Sequence, residues 1–305
     1  YFLRYVDPQN EQAPFSFENQ KHWMPVDLYL GGSEHTVGHL LYSRFWQKVL
    51  FDLGLVSHDE PFKKLIHQGM VLGPDGEKMS KSRGNVINIV DVRDQYGADA
   101  CRTYISFMGP LEKDKPWSET GIDGVRRFLE RIWRLAFNEQ GALIATDEGI
   151  PEELNRTLHK TIQKVTKDIE SLNLNTAVSS MMILVNETYK ANVKPKKLLK
   201  TLAQLLMPFG PHISEEIWAA CGGEGLVSLA PWPNFDSQLV KDDLVEMAIQ
   251  INGKVRGTIE ISPMADENTA LTVAKSNSSV ARHLEDKAIV KVIYKAGKIL
   301  NLIIK

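Results

Sequence analysis

Val26-Asp27-Leu28-Tyr29-Leu30-Gly31-Gly32-Ser33-Glu34-His35-Thr36-Val37-Gly38-His39 is the stretch that decides the fold. Its first five residues form a short β-type run that stops at two glycines. A helix is predicted to start at Ser33, a good N-cap, and to continue through Phe51. Leu40, Leu41, Phe45, Val49 and Leu50 recur at helical spacing and predict its buried stripe. Strand, glycine turn and helix together are the unit from which nucleotide-binding α/β sheets are built. The next strand is read over Leu65–Leu72, which delivers the chain to a polar, glycine-punctuated loop.

That loop is Gly73-Pro74-Asp75-Gly76-Glu77-Lys78-Met79-Ser80-Lys81-Ser82-Arg83-Gly84-Asn85. Glycine lets backbone approach a ligand closely, Lys78 and Lys81 supply mobile point charges, and Ser80 and Ser82 add hydroxyl donors. Such a loop suits a polyphosphate whose charge is being redistributed. The plain alternative is a solvated basic turn. Upstream, Gly31 and Gly32 leave amide N–H groups open at a helix start. Glu34 is of the type that accepts hydrogen bonds from a ribose diol. His35 and His39, four apart, share a helical face. A metal at that pair lacks a third ligand and the glutamate of the zinc-protease pattern, so no metal residue is assigned and no protein-bound zinc is expected. Ordinary packed histidines are the competing reading.

Outward from this core the chain changes character twice. Ile89–Ser106 reads as compact helical structure, and Pro110 and Pro116 mark a break. Val125, Phe128, Leu129, Ile132, Trp133 and Leu135 open a helical region. Further helices are predicted from Pro151 to about Leu172, over Asn175–Asn192, over Lys196–Met207 and over His212–Cys221. Beyond Asp243 the period becomes that of strands. Val245–Ile251 and Lys254–Ile261 flank Asn252-Gly253, a favoured hairpin turn. Thr269–Asn277 or Val280–Glu285 supplies a helix, and Ile289–Tyr294 and Ile299–Ile304 close the chain. The fold class is therefore multidomain: α/β over 1–118, an all-α helical bundle over 119–235, and a small α+β domain over 244–305.

Composition limits the function classes. The 305 residues carry a net charge of −2 and 43% hydrophobic content, so nucleic-acid contact has to come from local patches. Two cysteines, Cys101 and Cys221, exclude a disulfide scaffold and fit a reducing, cytoplasmic setting. No apolar run reaches the roughly 20 residues that span a bilayer, so no membrane partner is expected. Tyr1-Phe2-Leu3-Arg4-Tyr5-Val6 reads as the middle of an element, and a fragment of a longer protein is expected.

The pentapeptide Lys78-Met79-Ser80-Lys81-Ser82 resembles the signature loop of class I aminoacyl-tRNA synthetases. The run Trp23 to His35, His39-Leu40-Leu41-Tyr42, Phe45-Trp46, Gln68-Gly69-Met70-Val71-Leu72, Tyr96-Gly97-Ala98-Asp99, Gly121 to Trp133 and Ile251 to Gly257 resemble the leucyl-tRNA synthetase family of bacterial type, in order along the whole chain. The resemblance implies a partial Rossmann-like catalytic domain, an anticodon-binding-type bundle and a C-terminal tRNA-binding module. It implies that Gly31, Gly32, Glu34, Met70, Val71, Lys78, Met79, Ser80, Lys81 and Ser82 meet ATP. Glu34 would contact the ribose, backbone near Met70 and Val71 the adenine edge, and Lys78 and Lys81 the phosphates, with Lys81 as the principal charge clamp. Tyr1, His35 and His39 would line the leucine pocket. The implied reaction makes leucyl-adenylate from leucine and ATP, with Mg2+ accompanying the ATP, and passes leucine to tRNA-Leu.

The resemblance also marks departures. The His-containing motif that opens the nucleotide-binding half and the editing domain have no counterpart in these residues, and only a short turn separates Leu72 from Lys78. The missing N-terminal half of the synthetase is thus an expected partner, and the chain alone is expected to be inactive. For tRNA, Arg156, Lys160, Lys164 and Lys167 follow one helical face, with Lys194 and Lys197 after them. The segment from residue 245 is net +3 and offers Lys254, Arg256, Lys295 and Lys298. A solvated charged face is the ordinary reading of such lysines. Two other classes compete: a tRNA-binding subunit of a split synthetase, and a sister class I enzyme for valine, isoleucine or methionine.

Overall fold

A computed structural model describes residues 2–240, 245–262, 265–284 and 287–305. It divides into two compact units, Tyr1–Phe235 and Asp236–Lys305.

In the first unit, α1 (Phe17–Trp23) precedes β1 (Tyr29–Gly32), which leads through a tight 3-10 turn, Ser33–His35, and a wide π turn, Thr36–Leu40, into α2 (Leu41–Asp52). Gly32, not Ser33, occupies the cap position of the first turn, and no side chain bonds there. The glycine pair belongs to the strand, so the predicted helix enters late. β2 (Leu65–Gln68) runs parallel to β1, with Gly31 opposite His67 and Gly32 opposite Gln68. The strand read over Leu65–Leu72 is broken. β3 is only Val71–Leu72, and it pairs in parallel with β4 (Lys115–Pro116). Pro116, read as a break, is therefore a strand residue; proline is tolerated where its missing donor faces no partner.

The stripe predicted for α2 is largely inverted. Leu40, at its entry, is buried, but within the helix the buried residues are Ser43 and Gln47. Ser43 Oγ donates to the Leu40 carbonyl and Gln47 Nε2 donates to the His58 carbonyl at 2.7 Å. Leu41, Tyr42, Phe45 and Trp46 are between 56% and 63% exposed. A contiguous apolar face of this kind marks an interaction surface. Arg44 and Lys48 hold Glu60 at 2.6 and 2.9 Å and tie α2 to the loop before β2.

α3 (Ile89–Tyr96) is capped by the Asn88 side chain and ends at Gly97, whose φ of 89° only glycine adopts readily. α4 (Ala98–Phe107) follows, and α5 (Glu119–Ala136) begins at the Ser118 cap. α6 (Glu152–Glu170), α7 (Leu174–Ala191), α8 (Lys196–Leu206) and α9 (Pro211–Ala220) complete the bundle. Pro151 sits at the cap position of α6, one residue earlier than a first-turn proline. One core joins these helices to α4: Tyr104 and Trp117 pack with Ile122, Ile132, Leu158, Met181, Leu198 and Leu202. Asp99 on α4 accepts hydrogen bonds from the Ile213 N–H and His212 Nδ1, both at 2.7 Å, and so caps α9.

The second unit is a four-stranded sheet in the order β6-β5-β8-β7, formed by β5 (Val245–Ile251), β6 (Lys254–Ile261), β7 (Ile289–Lys295) and β8 (Ile299–Ile304). Only β5 and β8 run parallel. Both helices offered as alternatives form, α10 (Glu267–Ser276) and α11 (Ser278–Leu284), and they bury Ala270, Ala274 and Val280 against Met247, Ile249 and Leu300.

Leu202→Ala, at a fully buried site in the bundle, should cost about 2–5 kcal/mol, read as a lower urea midpoint. The Arg44 and Lys48 hydrogen bonds hold the Glu60 carboxyl at about 2, below its usual 4.5. A depressed carboxylate contributes stability above its unfolded pKa and loses it as pH falls through the folded value. The Glu60 contribution is therefore complete above about pH 4.5 and vanishes toward pH 2. Glu60→Gln should flatten the stability profile in that window, measured by denaturation at a series of pH values.

Candidate nucleotide-binding site and nucleic-acid interface

The glycine turn and the lysine loop both follow the carboxyl ends of parallel strands, β1 and β3. Open α/β sheets bind ligands at such ends. Gly32 lies opposite Gln68 at the end of β2, and Met70 is two residues further on. At 3.8 Å per residue, the glycine turn and the Met70–Val71 backbone share one corner of the fold. A Cβ on Gly32 would overlap the carboxylate of Glu34, which folds back over the strand end. Glu34 is exposed, so its oxygens remain available to a diol.

His35 is exposed, whereas His39 is half-buried in an aromatic group with Tyr29 and Phe62, at ring separations of 5.3 and 5.9 Å. Burial, then the nearby charge of His35, holds the His39 pKa below the usual histidine value. His39 is thereby biased to the neutral form at neutral pH, fit to face an apolar side chain. Sequence reasoning missed Tyr29 and Phe62. Tyr29 reads as an ordinary strand former, and Phe62 lies in a loop whose pairing with Val26 is a tertiary event. Tyr1, the third residue expected at this pocket, lies outside the described residues. Among those residues no group of three or more His, Cys, Asp or Glu side chains could hold a metal ion.

The lysine loop is braced from inside. Asn85 Oδ1 accepts the Ser80 N–H at 2.8 Å, and its Nδ2 donates to both Asp75 oxygens at 3.1 Å and to the Lys78 carbonyl at 3.3 Å. The Asn85 bond, then the Glu77 N–H, holds the Asp75 carboxyl below its usual range. Gly76 turns the chain at a φ of 76°. Ser80 and Ser82 bond each other at 2.8 Å, and Arg83 pairs with Glu77. Met79 packs on the main core as an apolar anchor. Lys78 and Lys81, on either side of that anchor, are exposed, and neither forms an ion pair among the described residues. Asn85 stood at the end of the quoted stretch without a role, because its four partners meet only in three dimensions.

The basic residues of the bundle divide. Arg156 pairs with Glu152 at 3.5 Å. Lys164 is engaged by Asp168, a buried carboxylate that also accepts the Thr176 hydroxyl at 2.6 Å. Lys160 has a partner of its own. Lys194 donates its backbone N–H to Glu148. Lys167 and Lys197 are exposed and form no ion pair among the described residues.

In the second unit, Asn252 and Gly253 adopt φ values of 49° and 79°, the twist a two-residue hairpin requires. The pairing slips between Ile249 and Gln250, which leaves Arg256 as the extra residue of a bulge. Bulges re-aim side chains, and here Lys254, Val255 and Arg256 are all exposed. Gly257 then lets α11 approach: a Cβ there would lie 3.1 Å from Val280. Lys295 and Lys298 flank the β7–β8 turn, on the other edge of the sheet. The four basic residues are thus two separate pairs, not one patch.

A family model described as tRNA synthetases class I (I, L, M and V) matches residues 8–118, and one described as anticodon-binding domain of tRNA ligase matches 152–271. The leucine–tRNA ligase of Bdellovibrio bacteriovorus is 63% identical over all 305 residues. Along its whole length the chain is similar to leucine–tRNA ligases. The enzymes of Pelodictyon phaeoclathratiforme and Chlorobium limicola are 48% and 50% identical, again over the full chain. The chain spans 38% of the length of these relatives. Its fold superposes on an Agrobacterium radiobacter K84 leucyl-tRNA synthetase, crystallised as a ternary complex with tRNA and LeuAMS, with a TM-score of 0.85 at 35% identity, covering all of this chain and 41% of that one. A Mycobacterium tuberculosis methionyl-tRNA synthetase shares the fold at a TM-score of 0.51 and 18% identity, over 75% of this chain and 53% of its own.

The Asn85 brace has a direct readout in this chain. Lys78, Lys81 and Arg83 are trypsin sites, and cleavage of a folded loop requires local opening. Asn85→Ala should speed cleavage there by roughly tenfold, the equivalent of about one to two hydrogen bonds, followed by mass spectrometry of the fragments.

Proposed function

We propose that this chain carries part of the active site and the tRNA-docking elements of a leucine–tRNA ligase. The reaction begins when the leucine carboxylate attacks the α-phosphate of ATP. The new bond gives leucyl-adenylate, and pyrophosphate departs. Leucine then passes to the terminal ribose of tRNA-Leu. Mg2+ enters with ATP, held by its phosphates. The two cysteines are free and buried, in keeping with a cytoplasmic enzyme.

The observation that carries this proposal is the pair of unpaired ammonium groups on a loop whose shape is set by other residues. Phosphoryl transfer needs positioning and charge stabilisation more than covalent chemistry. Lys78 and Lys81 meet that need because no carboxylate among the described residues pairs with them. Their position after β3, near the Met70–Val71 backbone, supports a reading in which the nucleobase meets that backbone and the phosphates meet the lysines. Glu34 serves the ribose from the end of β1, and His39 faces the leucine side chain in its uncharged form. Leucine, rather than valine, isoleucine or methionine, is favoured by the 63% and 48% identities to leucine enzymes.

The exposed face of α2 supports a second element of the proposal. Leu41, Tyr42, Phe45 and Trp46 stay more than half exposed among the described residues, and the relatives are more than twice as long. The catalytic unit is completed there by the remainder of a ligase of the relatives' length. The tRNA contacts fall on Lys167, Lys197 and the Lys254–Arg256 hairpin, as phosphate contacts rather than base readout.

In an enzyme of full length, Lys81→Ala should slow ATP–pyrophosphate exchange by about 10²–10³, the usual cost of one preorganised charge-stabilising donor; an unchanged rate overturns the site assignment. The 305-residue chain alone should give no exchange, and adding the complementary portion of a full-length ligase should restore it. For tRNA-Leu, Lys254→Ala with Arg256→Ala should lower affinity and reduce the salt dependence by about one to two ions, measured by titration between low and moderate salt.

A further inference from the structure

We infer that Asp114 is a positioning residue for nucleobase recognition: its carboxylate ties down the Met70 N–H, so that Val71 alone presents backbone groups to the adenine. This rests on the function proposed above and divides between two adjacent residues a role assigned to both.

The segment Leu111–Lys115 is wrapped tightly around Gly69 and Met70. Gly69 donates its N–H to the Leu111 carbonyl at 2.9 Å. A Cβ on Gly69 would overlap the Lys113 carbonyl, which is backbone and has no room to give. Met70 donates its N–H to Asp114 Oδ1 at 2.7 Å, and its carbonyl accepts the Lys115 N–H at 2.9 Å. Lys115, nine-tenths buried, turns its ammonium inward to the Pro110 carbonyl at 2.9 Å and fixes the far side of the same loop. In a regular parallel ladder a backbone carbonyl would accept from Met70. Here a carboxylate does so, and a charge-assisted bond is the stronger of the two.

Both polar groups of the Met70 backbone are therefore occupied. The Leu72 carbonyl faces the same way, accepting from the Trp117 N–H at 3.0 Å. Strand alternation then turns the N–H and C=O of Val71 to the opposite edge of β3, where no strand pairs among the described residues. The Val71 side chain packs on the main core, which fixes the strand's rotation. One exposed donor and one exposed acceptor, rigidly spaced, match the amino group and ring nitrogen of adenine. Without Asp114, Met70 has a free N–H, the short strand loses a tie at its start, and the Val71 pair is no longer held in one orientation.

The test uses a ligase of full length. Wild-type leucine-dependent ATP–pyrophosphate exchange is measured first, and its absence would overturn the ligase reading itself. Given that activity, Asp114→Ala should raise the KM for ATP about tenfold, the scale of one hydrogen bond to a charged group. The KM for leucine and kcat should stay within about twofold. Asp114→Asn, whose side-chain oxygen still accepts a hydrogen bond, should restore most of the loss. Asp114 is exposed, so Asp114→Asn should keep the wild-type urea midpoint and Asp114→Ala should lower it only by the scale of one lost hydrogen bond, with the chain still folded. An unchanged KM for ATP in Asp114→Ala overturns the inference, as does an equal decline in all three kinetic constants. Equal damage from Asp114→Asn also overturns it, since charge and not the held N–H would then be responsible.

Discussion

Asn85 is the residue on which the shape of the lysine loop depends. One side-chain amide satisfies a backbone donor, a backbone acceptor and a carboxylate within a loop of thirteen residues. Because the amide is neutral, it organises the loop without consuming either lysine. Had the loop been shaped by ion pairs, its ammonium groups would be quenched by the chain's own carboxylates. The one ion pair it does contain uses Arg83 and Glu77, beside the lysines and not on them. The design separates the residues that give shape from the residues that carry charge.

The same separation recurs elsewhere. In the bundle, Lys164 is committed to the buried Asp168, and Lys167, three residues on, is exposed. A helical face that reads as one row of cations thus holds both paired and unpaired ammonium groups among the described residues, Lys164 being paired although half exposed. In the C-terminal unit the Asn-Gly turn and the bulge at Arg256 do the shaping, and Lys254 and Arg256 are left outward. At β3, Met70 is spent on structure and Val71 is left free.

Much of this was legible in the sequence, for identifiable reasons. Helices α6 to α9 and the C-terminal hairpin were placed to within one or two residues because their apolar periods and turn residues are local signals, whereas α5 begins at Glu119, before its apolar period opens. The strand ends at Gly31–Gly32 and the lysine loop were legible because glycine and lysine spacing is itself the signal. α2 was misread because its apolar stripe faces away from this chain, and periodicity reports a stripe without saying what covers it. The break between β2 and β3 was hidden because it is imposed by Leu111–Lys115, more than forty residues away. Asp114 and the Tyr29–Phe62 contact were invisible for the same reason, and Asn85 because the loop fold that gathers its near neighbours has no periodic signal. Each is a polar or aromatic residue whose partner is fixed only by tertiary structure.

Unequal engagement of the lysines has a chemical corollary. An acylating reagent reacts with the unprotonated amine and needs access to it, so the chain is graded by its own fold. Lys78 and Lys81 stand open on their loop, Lys164 is shielded by its carboxylate, and Lys115 is sealed beneath Pro110. The amines proposed to meet phosphate are thus more open to adventitious modification than Lys115, and chemical ageing would reach that loop before it reached the sealed amine.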